Sequence, residues 1–168
     1  SYSVNDDSVL KGVSLNTTAS QPLYVRADVT GYPETKPKPA ENKMHISREI
    51  FDIQGKPIDL TKLNRGDLVV VHLSIWADQR VPDALVVDLL PAGLEIENQN
   101  LENSNMSLTE LTQFKELLEK TQQTPIKHQE YRDDRYVAAL DVDGYGRRDL
   151  VYIARAVSPG RFHMPMPM

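Results

Sequence analysis

Leu68-Val69-Val70-Val71-His72-Leu73-Ser74-Ile75-Trp76 decides the fold class of this chain. Read with a two-residue period, it puts Val69, Val71, Leu73 and Ile75 on one face and Leu68, Val70, His72, Ser74 and Trp76 on the other, as a β-strand does. Arg65-Gly66-Asp67 announces it, and the run predicts a central strand. Working outward, Ala84 to Leu90 is a second strand, with Leu85, Val87 and Leu89 facing one way and Pro91-Ala92-Gly93 closing it. On the other side, Met44 to Phe51 keeps the same period through Met44, Ile46 and Ile50, and Gln54-Gly55-Lys56-Pro57 is the turn that ends it. Leu23 to Thr30 alternates strictly, with Leu23, Val25, Ala27 and Val29 on one face, and reads as a half-buried strand. Between these last two, residues 31–43 carry Pro33, Pro37 and Pro39 among Glu and Lys, a composition for an exposed loop that neither pairs in a sheet nor buries much surface.

One segment breaks the pattern. Over residues 107–120, Leu108, Leu111, Phe114, Leu117 and Leu118 recur at helical spacing behind a capping box, Ser107-Leu108-Thr109-Glu110. A single amphipathic helix is expected there, in a connection between strands, with its apolar stripe on the edge of the sheets because a helix this short needs a partner surface. Beyond it, Tyr131 to Asp141 and Asp149 to Val157 are strand-like runs separated by Val142-Asp143-Gly144-Tyr145-Gly146, and Asp-Gly between strands signals a hairpin. Strands joined by turns, with one helix, predict two packed antiparallel sheets: an all-β sandwich with one inserted helix.

Composition narrows the function. The 168 residues, 40% hydrophobic, suit one domain with one core. A net charge of -5 without any basic run removes the electrostatic term that drives phosphate-backbone binding, so nucleic acid is not an expected partner. No apolar stretch approaches the roughly 18 to 20 residues of a membrane span, and no membrane contact by this domain is expected. The start at Ser1 without methionine reads as processing or excision from a larger chain. The absence of cysteine excludes a disulfide framework, a thiolate zinc site and a cysteine nucleophile within this sequence.

Three patterns invite a sharper chemistry. Asp133-Asp134 with Asp141-x-Asp143-Gly144 resembles a carboxylate cluster for a hard cation, but the glycine is misplaced for an EF-hand and Tyr152 stands where its final Glu belongs. The plainer reading is a turn and a solvated charge pair. Adjacent carboxylates on a strand point to opposite faces, which argues against a paired acid/base site. His163-Met164-x-Met166-x-Met168 alternates soft donors, as a copper(I) site does; the plainer reading is a terminal extended segment whose methionines pack on a neighbour. His45, His72 and His128 lack metal-ligand spacing, and neither a nucleophile elbow nor a glycine-rich phosphate loop is present. No catalytic residue, cofactor or metal site is expected.

The most specific part is the final third: Glu130-Tyr131-Arg132-Asp133-Asp134-Arg135-Tyr136-Val137-Ala138-Ala139-Leu140, then Leu150-Val151-Tyr152-Ile153-Ala154-Arg155-Ala156-Val157-Ser158-Pro159-Gly160-Arg161-Phe162. Upstream, in order, stand Ile46 to Asp52, Gly55-Lys56-Pro57, Arg65 to Val71 and Pro82 to Glu95 with its Leu90-Pro91-Ala92-Gly93 step. This ordered set resembles the last, tenth macroglobulin-like domain of bacterial alpha-2-macroglobulins over residues 14–168, leaving 1–13 as a lead-in. The resemblance implies a macroglobulin, fibronectin III-like sandwich within a periplasmic protein that traps proteases, membrane-anchored in some members. It further implies a non-catalytic module that packs against the thioester-type domain and helps shield it. The implied partners are other domains of the same polypeptide and, through the whole protein, target proteases. Arg132, Asp133, Asp134, Arg135, Arg155, His163, Met164 and Met166 are the residues expected at that interface. The family's thioester motif needs a cysteine and lies in another domain, and its acidic and aromatic segment after the Pro-Gly-x-Phe strand has no counterpart before Met168. Two rivals remain: a binding or adhesion module on an immunoglobulin-like sandwich, and an enzyme or metal-dependent accessory domain whose best support is the acidic region from Asp133 to Asp143.

Overall fold

A computed structural model describes residues 42–97 and 111–168, with isolated positions at 16, 18, 20, 21, 24 and 26. The chain divides into two compact units, Ser1–Lys38 and Pro39–Met168, and every element named below belongs to the second. Apart from Tyr24 and Arg26, the strand expected at Leu23 to Thr30 lies outside the described residues, as do nearly all of the loop at 31–43 and the expected domain start at residue 14.

Among the described residues seven strands follow in order: β1 (Met44–Asp52), β2 (Leu68–Ala77), β3 (Val81–Leu89), β4 (Leu94–Ile96), β5 (Ile126–Arg132), β6 (Arg135–Val142) and β7 (Arg148–Ala156), with α1 (Lys115–Gln122) between β4 and β5. They form two sheets, ordered β1-β2-β7-β4 and β3-β6-β5, with every pair antiparallel. The all-β sandwich with a single short helix is therefore as expected. β2 lies between β1 and β7, and Val69, Val71, Leu73 and Ile75 are fully buried between the sheets. Facing them are Val86 of β3 and Tyr136, Ala138 and Leu140 of β6, while Leu150, Tyr152 and Ala154 of β7 continue the first layer. Burying each large apolar side chain here stabilises the fold by about 1.5–3 kcal/mol, which makes β2 and β7 its spine.

β3 carries the expected alternation with its core side on the other parity. Ala84, Val86 and Asp88 are buried, whereas Leu85 is 58% exposed and Val87 and Leu89 are half-buried. A bulge between Val81 and Ala84, with Asp83 at φ +52°, sets this phase at the strand's start. The turn after β1 is the one expected: the Asp52 carboxylate accepts from the backbone N–H of Gln54 and Lys56, each at 2.9 Å, and Gly55 supplies φ +84°.

The helix differs from expectation. Leu111 is non-helical, with φ -88° and ψ 83°, a 3-10 turn runs over Thr112–Phe114, and α1 extends to Gln122. A continuous helix over 107–120 is thus excluded, because Leu111 breaks it. Leu111 and Phe114 are buried with Val70, Val151 and Ile153, and Leu117 and Leu118 pack beside them. The helix therefore lies on the outer face of the β1-β2-β7-β4 sheet rather than on an edge, covering the second apolar face of β2.

The hairpin also moves. β6 and β7 belong to different sheets, so Val142 to Gly146 is a crossover between layers. Gly144 does not take a positive φ; a Cβ there would stand 2.9 Å from Gln79 Cα, so the glycine permits two loops to touch. The real hairpin interrupts the expected run from Tyr131 to Asp141. β5 and β6 close on the pair Arg132–Arg135, leaving Asp133 and Asp134 as the turn. Its anchor is tertiary: the Asp134 carbonyl accepts from Leu90 N–H at 2.9 Å.

Candidate functional site

The interface residues expected from sequence fall into three groups. Arg132, Asp133, Asp134 and Arg135 sit together on the β5–β6 hairpin, exposed apart from a half-buried Arg135. Arg132 pairs with Glu130, with guanidinium nitrogens at 2.8 and 2.7 Å, and Arg135 pairs with Asp134 at 3.0 and 2.6 Å. The hydrogen bond from Arg135 holds Asp134 below the usual carboxylate range, and His128 and then Arg132 do the same for Glu130. Arg155 sits on β7, in the other sheet, where it donates to the Glu97 carboxylate and to the Gly66 carbonyl, so it ties down its own neighbours. The third group is the terminal segment: His163 and Met166 are exposed, and Met164 turns inward against the core.

This segment runs from the end of β7 along β3. Met168 and Val87 exchange both backbone hydrogen bonds, each 2.7 Å, so the chain's last residue adds to the β3 side of the three-stranded sheet. Phe162, near its start, lies over two glycines; a Cβ on Gly93 would meet the ring at 2.5 Å and one on Gly160 at 2.7 Å. A cleft of about 790 Å³ opens beside this ring, with Leu63, Pro91, Leu94 and Met164 along it and Arg65 and Arg161 among its lining residues.

The outer surface of the β3-β6-β5 sheet emerges as the candidate contact face. Cross-strand register sets Leu85 beside Ala139 and His128, Val87 beside Val137 and Glu130, and Leu89 beside Arg135 and Arg132. Val87 pairs directly with Met168, whose side chain therefore continues the second row. The face is apolar toward β3 and charged toward β5. Among the described residues no helix covers it, in contrast to the outer face of the other sheet.

Sequence reading missed a buried polar chain that ties the two sheets together. Asp88, fully buried, accepts from Arg48 Nη1 at 2.5 Å and from the Tyr152 hydroxyl at 2.6 Å. Tyr152 stacks on Tyr136 at 4.9 Å, and Gln129 donates to the hydroxyls of Tyr136 and Tyr131 at 2.8 and 2.6 Å. Burial raises Asp88 above the usual carboxylate value against the opposing pull of Tyr152 and Arg48, and burial likewise raises both core tyrosines. The signal was present: Arg48 shares the parity of Ile46 and Ile50, and Asp88 that of Ala84 and Val86, two opposite charges at core positions.

The sharper chemistries find no common site. Asp133 and Asp134 lie at one end of β6 and Asp141 and Asp143 at the other, where Lys127 and Arg148 engage them. The three methionines of the tail diverge, Met164 inward and Met166 and Met168 outward. His72 lies 2.7 Å from Asp149 and 3.3 Å from Glu49 on the outer face of the four-stranded sheet, bridging neighbouring strands. Among the described residues, no helix is long and apolar enough to cross a membrane.

With this geometry in view, comparison with known proteins is direct. The family model described as the bacterial alpha-2-macroglobulin MG10 domain matches residues 44–167, and one described as the CUB domain of A2MG matches residues 3–43. The two meet just before β1, later in the chain than the boundary after residue 13 read from sequence. The chain is 49% identical over 166 residues to the alpha-2-macroglobulin of Escherichia coli strain K12, covering 98% of this chain and 10% of that protein. The trypsin-activated Escherichia coli alpha-2-macroglobulin superposes with a TM-score of 0.77 at 53% identity, covering 82% of this chain and 10% of that one. The native Escherichia coli protein from domain MG7 to its C-terminus gives a TM-score of 0.75 at 53% identity, over 82% and 22% of the respective chains. The chain thus spans about a tenth of the length of the curated relative.

Proposed function

Because the chain belongs to the bacterial alpha-2-macroglobulin family, we propose that its sandwich is a non-catalytic interdomain module of a protease-trapping protein, packed by the outer face of the β3-β6-β5 sheet against the thioester-type domain. The observation that carries this reading is the asymmetry of the two outer faces. One is covered by α1, and the other carries a row from Met168 through Val87 to Val137 with charged side chains at its border. An apolar strip bordered by charge on its β5 side suits a protein contact, and the length of the relatives supplies neighbouring domains to fill it. The Arg132 to Arg135 hairpin forms part of that rim, where its ion pairs set register more than affinity. The same reading has a CUB segment ahead of β1 and the macroglobulin domain from Met44 onward, supported by the likeness to the two family models. Shielding of the thioester and a periplasmic location complete the proposal and rest on the family likeness.

The test is calorimetric binding of this chain to the separately expressed thioester-type domain of its parent. Leu85→Asp with Val87→Asp is expected to weaken binding at least tenfold, about 1.4 kcal/mol, and Arg132→Ala with Arg135→Ala by less. Absence of binding at high concentration overturns the reading and favours a free-standing adhesion module.

A further inference from the structure

The segment Phe162–Met168 meets the sandwich through the Phe162 ring, the Met164 side chain, the Pro165 carbonyl and the Met168 backbone, and Arg48 holds it midway. Arg48 projects from β1, in the four-stranded sheet. Its Nη1 reaches Asp88 on β3 in the other sheet, and its Nη2 donates to the Pro165 carbonyl at 2.5 Å. β1 and β3 are both terminal strands of their sheets, so Arg48 closes the side of the sandwich on which the tail lies. The Arg48 side chain is 11% exposed, and Asp88, locked by Tyr152, fixes its direction. Planar nitrogen donors suit this double task, which an ammonium performs poorly.

The tail's own sequence fits an edge strand that ends a sheet. Met168 bonds to Val87, so the intervening Pro167, one residue earlier, has its backbone nitrogen on the side away from β3, where a further strand would pair. Proline has no N–H to offer there, and the Pro165 carbonyl is taken by Arg48. Met-Pro-Met-Pro-Met therefore caps β3 and refuses the next strand, a recognised means of protecting a sheet edge.

We propose that Phe162–Met168 is a releasable strap, latched by Arg48 acting from Asp88 and seated by the Phe162 ring on Gly93 and Gly160, and that its release uncovers the β3 edge. Release then exposes the Val87 N–H and carbonyl while the two sheets stay intact, because the strap adds one backbone pair and one inward side chain, Met164, to a core already closed by β2 and β7. The inference concerns contacts within this chain and does not rest on how the outer face meets another domain.

The experiment is amide hydrogen exchange of this chain, read by NMR at Val87, Met168 and the core amides of β2 and β7. Arg48→Met alone leaves the Asp88 charge buried without its cation and endangers folding, so the latch variant is Arg48→Met with Asp88→Asn, whose side-chain oxygen still accepts from Tyr152, checked for a cooperative unfolding transition. Exchange at Val87 and Met168 is expected to accelerate at least roughly tenfold with the core amides unchanged. Gly93→Ala, which drives a methyl group into the Phe162 ring without touching the latch, is expected to do the same. Unchanged protection of Met168 in both variants overturns the proposal, as does loss of protection spread equally through β2 and β7, which would make the tail part of the core.

Discussion

Arg48 and Asp88 pose the sharpest question at the scale of single residues, because two charges sit where apolar side chains serve their neighbours. Removing one member leaves the other stranded: Arg48→Met is expected to cost about 3–5 kcal/mol in urea unfolding, whereas Arg48→Met with Asp88→Asn, which keeps an acceptor for the Tyr152 hydroxyl, returns part of that loss. A double-variant cycle in which the pair proves as damaging as the sum would refute this account. The pH dependence has a definite sign. Burial raises the folded-state value of Asp88, so the folded chain holds a proton that the unfolded chain has given up, between the ordinary aspartate range and the raised value. The stability from this group is therefore full at acid pH and lost as pH rises through the raised value. The exposed Asp134 and the half-buried Asp141, depressed by Arg135 and Lys127, act oppositely and lose their contribution as pH falls. Comparing wild type with Asp88→Asn from acid to neutral pH isolates the buried group: the advantage of wild type is expected to shrink as pH rises. The parity of Arg48 and Asp88 was legible in the sequence, but their pairing was not, since a period of two says which face a residue occupies and nothing about which strand lies opposite.

At the scale of elements, β2 was readable in full because its pattern is set by burial on both sides, and burial is what hydrophobic periodicity records. Turns were less so. Asp143-Gly144 carries the strongest local hairpin signal in the chain, yet it serves a crossover where the glycine lets the loop touch Gln79. Asp133-Asp134 carries little signal, yet it makes a hairpin, because the bond from Leu90 N–H holds it from outside the local segment. Opposite expectations follow for substitutions. Gly144→Ala is expected to cost about 1–3 kcal/mol through its clash with backbone, seen as a lower denaturation midpoint. Replacing Asp133-Asp134 by Asn-Gly, normally favourable in a two-residue hairpin, is expected to bring no gain, since neither aspartate takes the positive φ that Asn-Gly favours. An increase in midpoint would show that the anchored geometry contributes nothing. The helix boundary failed for a related reason: the apolar spacing from Leu108 to Leu118 reports one covered face, and Leu111 and Phe114 serve that face from outside the α-helix.

For the whole molecule, the decisive feature is that a sandwich has two outer faces and this one treats them differently. On the four-stranded sheet, Phe114 is buried against the apolar cluster and meets Phe51 edge-on at 6.0 Å, so Phe114→Ala is expected to cost about 3–5 kcal/mol of unfolding free energy. On the three-stranded sheet, Leu85 is 58% exposed and replacing it removes little burial, so Leu85→Asp is expected to change stability by no more than about 0.5 kcal/mol. If this outer face is an interface, the same substitution must weaken binding to the neighbouring domain while Phe114→Ala, assayed where it is still folded, leaves that binding unchanged. The two substitutions thus separate holding the fold from meeting a partner. Loss of stability in Leu85→Asp comparable to that in Phe114→Ala would mean that the outer face of β3 is already covered within the chain, and the contact surface would then have to be sought at the cleft beside Phe162.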